Sequence, residues 1–169
     1  MGSGSAQIGN LIHECETVAD NSLYNAQAHF ILADSKERKG RWLLIGPSVV
    51  AALCGLLTAI GCPGWLGAFS AVGGFIVSLA AFFGVDKQPT AHRNAASQWT
   101  ALRHEARALS ETYFKELPHD QFIAEVRRID DRYIALCQAL EPTDRESFEA
   151  ARQQIKAGVH RSDSERAKR

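Results

Sequence analysis

From Trp42 to Val85 the chain carries no Asp, Glu, Lys or Arg, yet the helix-breaking sequence Gly61-Cys62-Pro63-Gly64 sits in the middle of that run. A charge-free stretch of 44 residues is too long for one core helix and too apolar for a loop. The turn divides it into "WLLIGPSVVAALCGLLTAIGC" (42–62) and "WLGAFSAVGGFIVSLAAFFGV" (65–85), each of 21 residues. As helix, each piece spans roughly 31 Å at 1.5 Å per residue. A bilayer core is about 30 Å thick. Turn carbonyls left bare in hydrocarbon cost several kcal/mol each, so a turn between two spans belongs at the far interface, in contact with water. The expected arrangement is a two-helix transmembrane hairpin over residues 42–85.

The flanks give it an orientation. "KERKGR", Lys36 to Arg41, places four cations before the first span, Lys87 and Arg93 follow the second, and the connecting turn has none. Cations mark the cytoplasmic side, so both termini are expected in the cytoplasm. Trp42 and Trp65 then fall at opposite interfaces, where indoles favour the headgroup level. The first thirty residues show no apolar segment behind a basic start, so no cleavable signal peptide is expected.

Small residues recur within the spans: Ala51, Gly55 and Ala59 in the first, and Gly67, Ala71, Gly74, Ser78 and Ala81 in the second. Such ladders let helix backbones approach closely in lipid. One ladder can serve the hairpin itself and the other a neighbouring copy. Gly46-Pro47 is a candidate kink.

Outside the spans the pattern is helical as well. Ala95, Trp99, Leu102, Ala106, Leu109 and Tyr113 are spaced 4, 3, 4, 3, 4, and Phe122, Val126, Ile129, Tyr133, Leu136 and Leu140 repeat that spacing. These are heptad-type seams, and Pro118 between them predicts an antiparallel pair. Thr143-Asp144-Arg145-Glu146 reads as a capping box that starts a short helix with Phe148, Ala151 and Ile155 inward. Upstream, Ile8, Leu11, Cys15, Val18 and Ser22 form a stripe expected to pack on the later helices. The fold class is therefore all-α: a transmembrane hairpin (42–62 and 65–85) with a cytoplasmic helical bundle built from an N-terminal helix and basic hinge (1–41) and a helical region (86–157). A disordered tail is expected over 158–169, where no apolar period exists.

Residues 1–41 hold four Lys/Arg and five Asp/Glu, and residues 86–169 hold fifteen and fourteen. Neither part is basic enough to point to nucleic acid. Cys15, Cys54, Cys62 and Cys137 share no CxxC or metal-like spacing and read as small buried side chains in a reducing compartment. The six histidines form no HExxH, and His13-Glu14 and His104-Glu105 are dipeptides whose side chains point about 100° apart on a helix. No Walker loop, GxSxG or Rossmann glycine set occurs, so neither a metal, a resident cofactor nor a catalytic site is expected. Arg103 and Arg107 lie one helical turn apart, as do Arg128 and Arg132 on the next helix. If the two helices pair, the four guanidiniums form a candidate phosphate site. The alternative is surface ion pairing with Glu111, Glu125 and Asp131.

The order of a basic segment, "KERKGRWLLIGPSVVAAL", a short-looped hairpin and "HRNAASQWTALRHEARAL" resembles the SLATT family, two-transmembrane effectors associated with nucleotide-second-messenger synthases and SLOG sensors in bacterial conflict systems. The post-membrane stretch carries the closer likeness, through His92, Ala95, Ala96, Trp99, Leu102 and Glu105; Trp99 stands where the family usually has Tyr or Phe. The resemblance covers roughly residues 10–155 and brings no catalytic motif. It implies an antiphage, abortive-infection effector in the bacterial inner membrane, a homo-oligomer that disrupts the bilayer under control of a cyclic nucleotide and its synthase. A passive membrane-anchored scaffold, or a ligand sensor without a pore, remains the alternative.

Overall fold

The computed structural model describes residues 3–84 and 87–158. Its helices are α1 (Ser3–Ala59), α2 (Leu66–Phe82), α3 (Gln88–Glu111), α4 (His119–Ala139) and α5 (Arg145–Lys156), with a single 3₁₀ turn at Tyr113–Lys115. No strand occurs among the described residues. Val85, the last residue of the expected second span, and all of the expected disordered tail except Gly158 lie outside them.

The chain divides into two compact units, Met1–Ile31 with Arg93–Arg169, and Leu32–His92. α1 contributes to both, so the segment Lys36–Arg41, expected as a hinge, is helix. The reason is local. Lys, Glu and Arg favour helix, and Glu37 accepts a 2.7 Å hydrogen bond from Arg41 one turn later. The unit boundaries place this basic segment with the apolar helices.

In the first unit the expected seams meet. Cys15, Val18, Ala19 and Ala26 of α1 share a core with Trp99, Leu102, Ala106 and Leu109 of α3 and with Phe122, Val126, Ile129 and Leu136 of α4. Trp99 and Tyr133 pack edge to face at 5.5 Å between ring centres. Pro118 precedes α4 with an extended ψ of 145°, the conformation a proline allows just before a first helical turn. Tyr113 and Phe148 differ from expectation. Tyr113 falls in the 3₁₀ turn and is exposed, because α3 stops at Glu111. Phe148, expected inward, is 40% exposed and lies 6.3 Å from Tyr24. Ser147 and Ala151 are the residues α5 buries. The cap is displaced by one residue as well. Asp144, not Thr143, is the N-cap, and its carboxylate accepts from the Ser147 backbone N–H at 2.7 Å. Asp is as good a cap as Thr or better, and it sits immediately before the first helical residue.

In the second unit α1 ends in a Schellman motif. Gly61, at φ +91°, occupies the left-handed position that only glycine adopts without strain. Gly61 N–H donates to Thr58 O at 3.2 Å and Cys62 N–H to Leu57 O at 3.1 Å, and Pro63 then blocks any continuation. The helices on either side of this turn lie against each other in antiparallel sense. Gly67 approaches Thr58, Gly55 approaches Ser70, and Gly73 faces Pro47 and Ala51. The closest approach is at Gly73, where an added Cβ would lie 2.8 Å from Pro47 O and 2.9 Å from Ala51 Cβ. α1 runs on through Pro47.

The small residues thus divide between two faces. Ala51, Gly55 and Gly67 belong to the packed face, together with Ser70, Gly73 and Ala80. Ala59, Ala71, Gly74, Ser78 and Ala81 are exposed, and a Cβ at Gly74 meets nothing within 4 Å. The ladder expected from spacing includes Gly74, whereas the adjacent Gly73, outside that ladder, makes the close contact with α1. Replacing Gly73 by Leu is expected to lower thermal stability of the full chain in detergent by about 1–3 kcal/mol through overpacking, whereas Gly74→Leu leaves it within about 0.5 kcal/mol. In the bundle, Leu102→Ala is expected to cost about 2–5 kcal/mol in the same melts, because Leu102 is fully buried.

Candidate functional site

The dominant surface feature is apolar. Within Leu32–His92, large apolar side chains from Trp42 to Ile60 and from Trp65 to Phe83 stand open, among them Trp42 at 72%, Phe75 at 66% and Phe82 at 83%. The most apolar window of α1 has mean hydropathy 1.9 and no buried residue. A core helix of equal hydropathy would be covered by its own protein; this one is not. α1 is the one helix among the described residues long and apolar enough to cross a membrane, and α2, of 17 residues, is a shorter apolar helix. Three of the hydroxyls here are turned inward to the backbone. Ser48, Thr58 and Ser78 donate to Leu44 O, Cys54 O and Gly74 O, each four residues earlier on its own helix.

The four arginines lie in the other unit. Arg128 and Arg132 of α4 both face Glu105 of α3: Arg132 Nη1 donates to Glu105 Oε1, and Arg128 Nη1 stands 3.8 Å from Glu105 Oε2. Arg128 also donates to Glu125 at 2.8 Å, and Arg107 donates twice to Glu111 on its own helix. Arg103 is engaged too. α3 and α4 therefore bring two of the four guanidiniums together, around a carboxylate. Glu105 was not read as their partner from sequence. Its distance of 27 residues from Arg132 hides the pairing, which appears only once the two seams are docked in register. These pairs are a third or more exposed, so each contributes about 0–1 kcal/mol.

Among the clefts that the described residues form on the same bundle, three are of similar size. One of about 450 Å³ is lined by Asn25, His29, Trp99, Cys137, Arg145 and Phe148, among others. A second of about 490 Å³ shares Asn25 and Phe148 with it and adds Tyr24 and Arg152. The third, of about 510 Å³, lies beside Glu105, Arg128 and Tyr113. Among the described residues no group of three His, Cys, Asp or Glu side chains has the geometry to hold a metal ion. Buried His29 and His92 are both engaged with neighbours.

Three titratable groups, Cys15, Asp130 and Tyr133, carry raised pKa values in the bundle, each chiefly through burial. Burial pushes the Cys15 thiol from its ordinary 9.0 up to about 11, with the charges of Asp130, Glu14 and Glu16 adding to the effect. Burial likewise raises Asp130, assisted by Glu14 and Asp131.

Compared with protein-family models, curated proteins and solved structures, the chain matches none.

The cysteines give a direct check of the bundle. The thiolate is the reactive form, and Cys15 is both 1% exposed and held protonated, whereas Cys137, expected to be buried like the other cysteines, is exposed. Iodoacetamide at pH 8 is expected to label Cys137 at least about tenfold faster than Cys15, read by peptide mass spectrometry. Because the folded-state pKa of Cys15 is raised, its contribution to stability is intact below pH 9 and declines as pH rises towards about 11.

Proposed function

We propose that this chain is a membrane effector of bacterial antiphage defence. Its α1–α2 segment crosses the inner membrane as a two-helix hairpin, and its helical bundle and both termini lie in the cytoplasm. Several copies assemble and permeabilise the bilayer under control of a cytoplasmic cyclic nucleotide made by a partner synthase. The observation that carries the membrane part is the uncovered apolar surface from Trp42 to Phe83, flanked by cations at one end only. The defence part rests on the resemblance of the basic segment, the hairpin and the His92–Leu109 stretch to SLATT effectors. Assembly is supported by the outward small residues Ala71, Gly74 and Ser78, which the α1–α2 packing leaves unused and which suit close helix approach in lipid. Control by a ligand requires tighter binding to one assembly than to the other, and the arginines around Glu105 are the candidate phosphate contacts.

One observation favours a second reading, a passive membrane-anchored scaffold. Ser48, Thr58 and Ser78 satisfy their hydroxyls on their own helices, which leaves little polar surface to line a conduit.

Membrane potential decides between the two. With the chain expressed alongside a cyclic-nucleotide synthase, a voltage-sensitive dye is expected to report depolarisation. Gly74→Leu, which the α1–α2 packing tolerates, is expected to abolish it. An unchanged potential in the wild type, with the synthase active, overturns the effector reading in favour of the scaffold. Isothermal calorimetry of the synthase product against the purified chain reports the ligand step separately.

A further inference from the structure

At one end of the apolar segment α1 changes character within three turns. Asp34, Glu37, Arg38, Arg41, Trp42 and Ile45 share one helical face, spaced 3, 1, 3, 1, 3, and line a cleft of about 480 Å³. The cleft is amphipathic along the helix axis. Its first part holds two carboxylates and two guanidiniums; its second holds an indole and a branched aliphatic chain, 72% and 50% exposed. Glu37 and Arg41 are paired at 2.7 Å, so both signs of charge are already fixed in place. Lys36 and Lys39 are close in sequence but do not line the cleft.

We infer that this cleft seats the headgroup of an aminophospholipid, a lipid carrying both a phosphate and a primary ammonium. The inference rests on the membrane reading above and names the lipid at its cytoplasmic edge. The forks of Arg38 and Arg41 donate to the phosphate oxygens. The carboxylates of Asp34 and Glu37 accept from the ammonium N–H groups, for which each retains lone pairs beyond its present partners. Trp42 and Ile45 lie along the glycerol and the first acyl carbons, at the depth where indoles prefer to sit. The apolar half selects a lipid over a free phosphate, which would leave Trp42 and Ile45 in water. The balance of charge within the cleft selects a zwitterion over a purely anionic headgroup, which Asp34 and Glu37 repel. Hydrogen bonding selects a primary ammonium over a quaternary one, which has no N–H to donate. The neighbouring lysines attract any anionic lipid, but that attraction is long-range and is screened at 0.15 M salt, where the Debye length is about 8 Å.

The test uses the full chain in neutral detergent at that salt, titrated with phosphatidylethanolamine, phosphatidylcholine and phosphatidylglycerol, with bound lipid counted by native mass spectrometry. Phosphatidylethanolamine is expected to be retained roughly tenfold better than the other two, in line with the loss of one charge-assisted hydrogen bond. Stepwise N-methylation of its ammonium is expected to erode that preference. D34N/E37Q is expected to abolish the preference while keeping residual phospholipid binding, and R38Q/R41Q to lower retention of every phospholipid at least about tenfold. Equal retention of the three lipids, or a preference for phosphatidylglycerol, overturns the inference, as does displacement of bound lipid by millimolar inorganic phosphate. The methylation series needs no variant and stands even if the substitutions disturb folding. Extraction of the chain from cell membranes by alkaline carbonate is read separately, and release there is a failure of the membrane reading itself.

Discussion

The constraint on which the rest of this protein depends is the close approach of α1 and α2 at Gly73. With an added side-chain carbon 2.8 Å from Pro47 O, this position admits no larger residue unless a backbone shifts. That contact orients the pair. Gly67, Ser70, Gly73 and Ala80 turn inward, and the large apolar side chains Phe69, Val72, Phe75, Phe82 and Phe83 turn outward and stand exposed. Small residues inside and large ones outside is the reverse of a water-soluble pair of helices. There, large side chains fill the seam and polar ones face solvent. The inversion suits apolar surroundings, as the membrane reading proposed above requires.

The bundle follows the opposite rule. Its seams include large residues such as Trp99, Leu102, Phe122 and Ile129, and its ion pairs are exposed enough to contribute little individually. α1 belongs to both regimes. Its first half is amphipathic around Cys15 and Val18, and its second half is apolar on every side. The Lys36–Arg41 segment marks the change. Here the helix bears the cleft whose lining is charged at one end and apolar at the other.

Much of the fold was legible because it depends on periodicity. The seams at Ala95–Tyr113 and Phe122–Leu140 predicted two paired helices, and the structure gathers most of their members in one core with Cys15 and Val18, leaving Tyr113 exposed. Gly61-Cys62-Pro63-Gly64 predicted the end of α1, and the left-handed Gly61 confirms it. What escaped depends on choices between neighbours. Asp144 rather than Thr143 caps α5, a one-residue shift within a run of good caps. The basic segment, expected as a hinge, is continuous helix. The backbone responds instead to helix propensity and to the Glu37–Arg41 pair. For the arginines, sequence showed two pairs on two helices. It did not show that Glu105 would stand between Arg128 and Arg132, because that depends on the rotation of α3 against α4.

The sequence by itself determined that this chain is helical, where its long apolar segment begins and ends, and where that segment turns back. Local spacing, charge distribution and one Gly-Pro turn suffice for those properties. Tertiary structure alone decided which small residues touch and which remain open. Gly73 and Gly74 have the same chemistry and adjoining positions, about 100° apart on the helix, and only contact with Pro47 and Ala51 distinguishes the buried one from the exposed one.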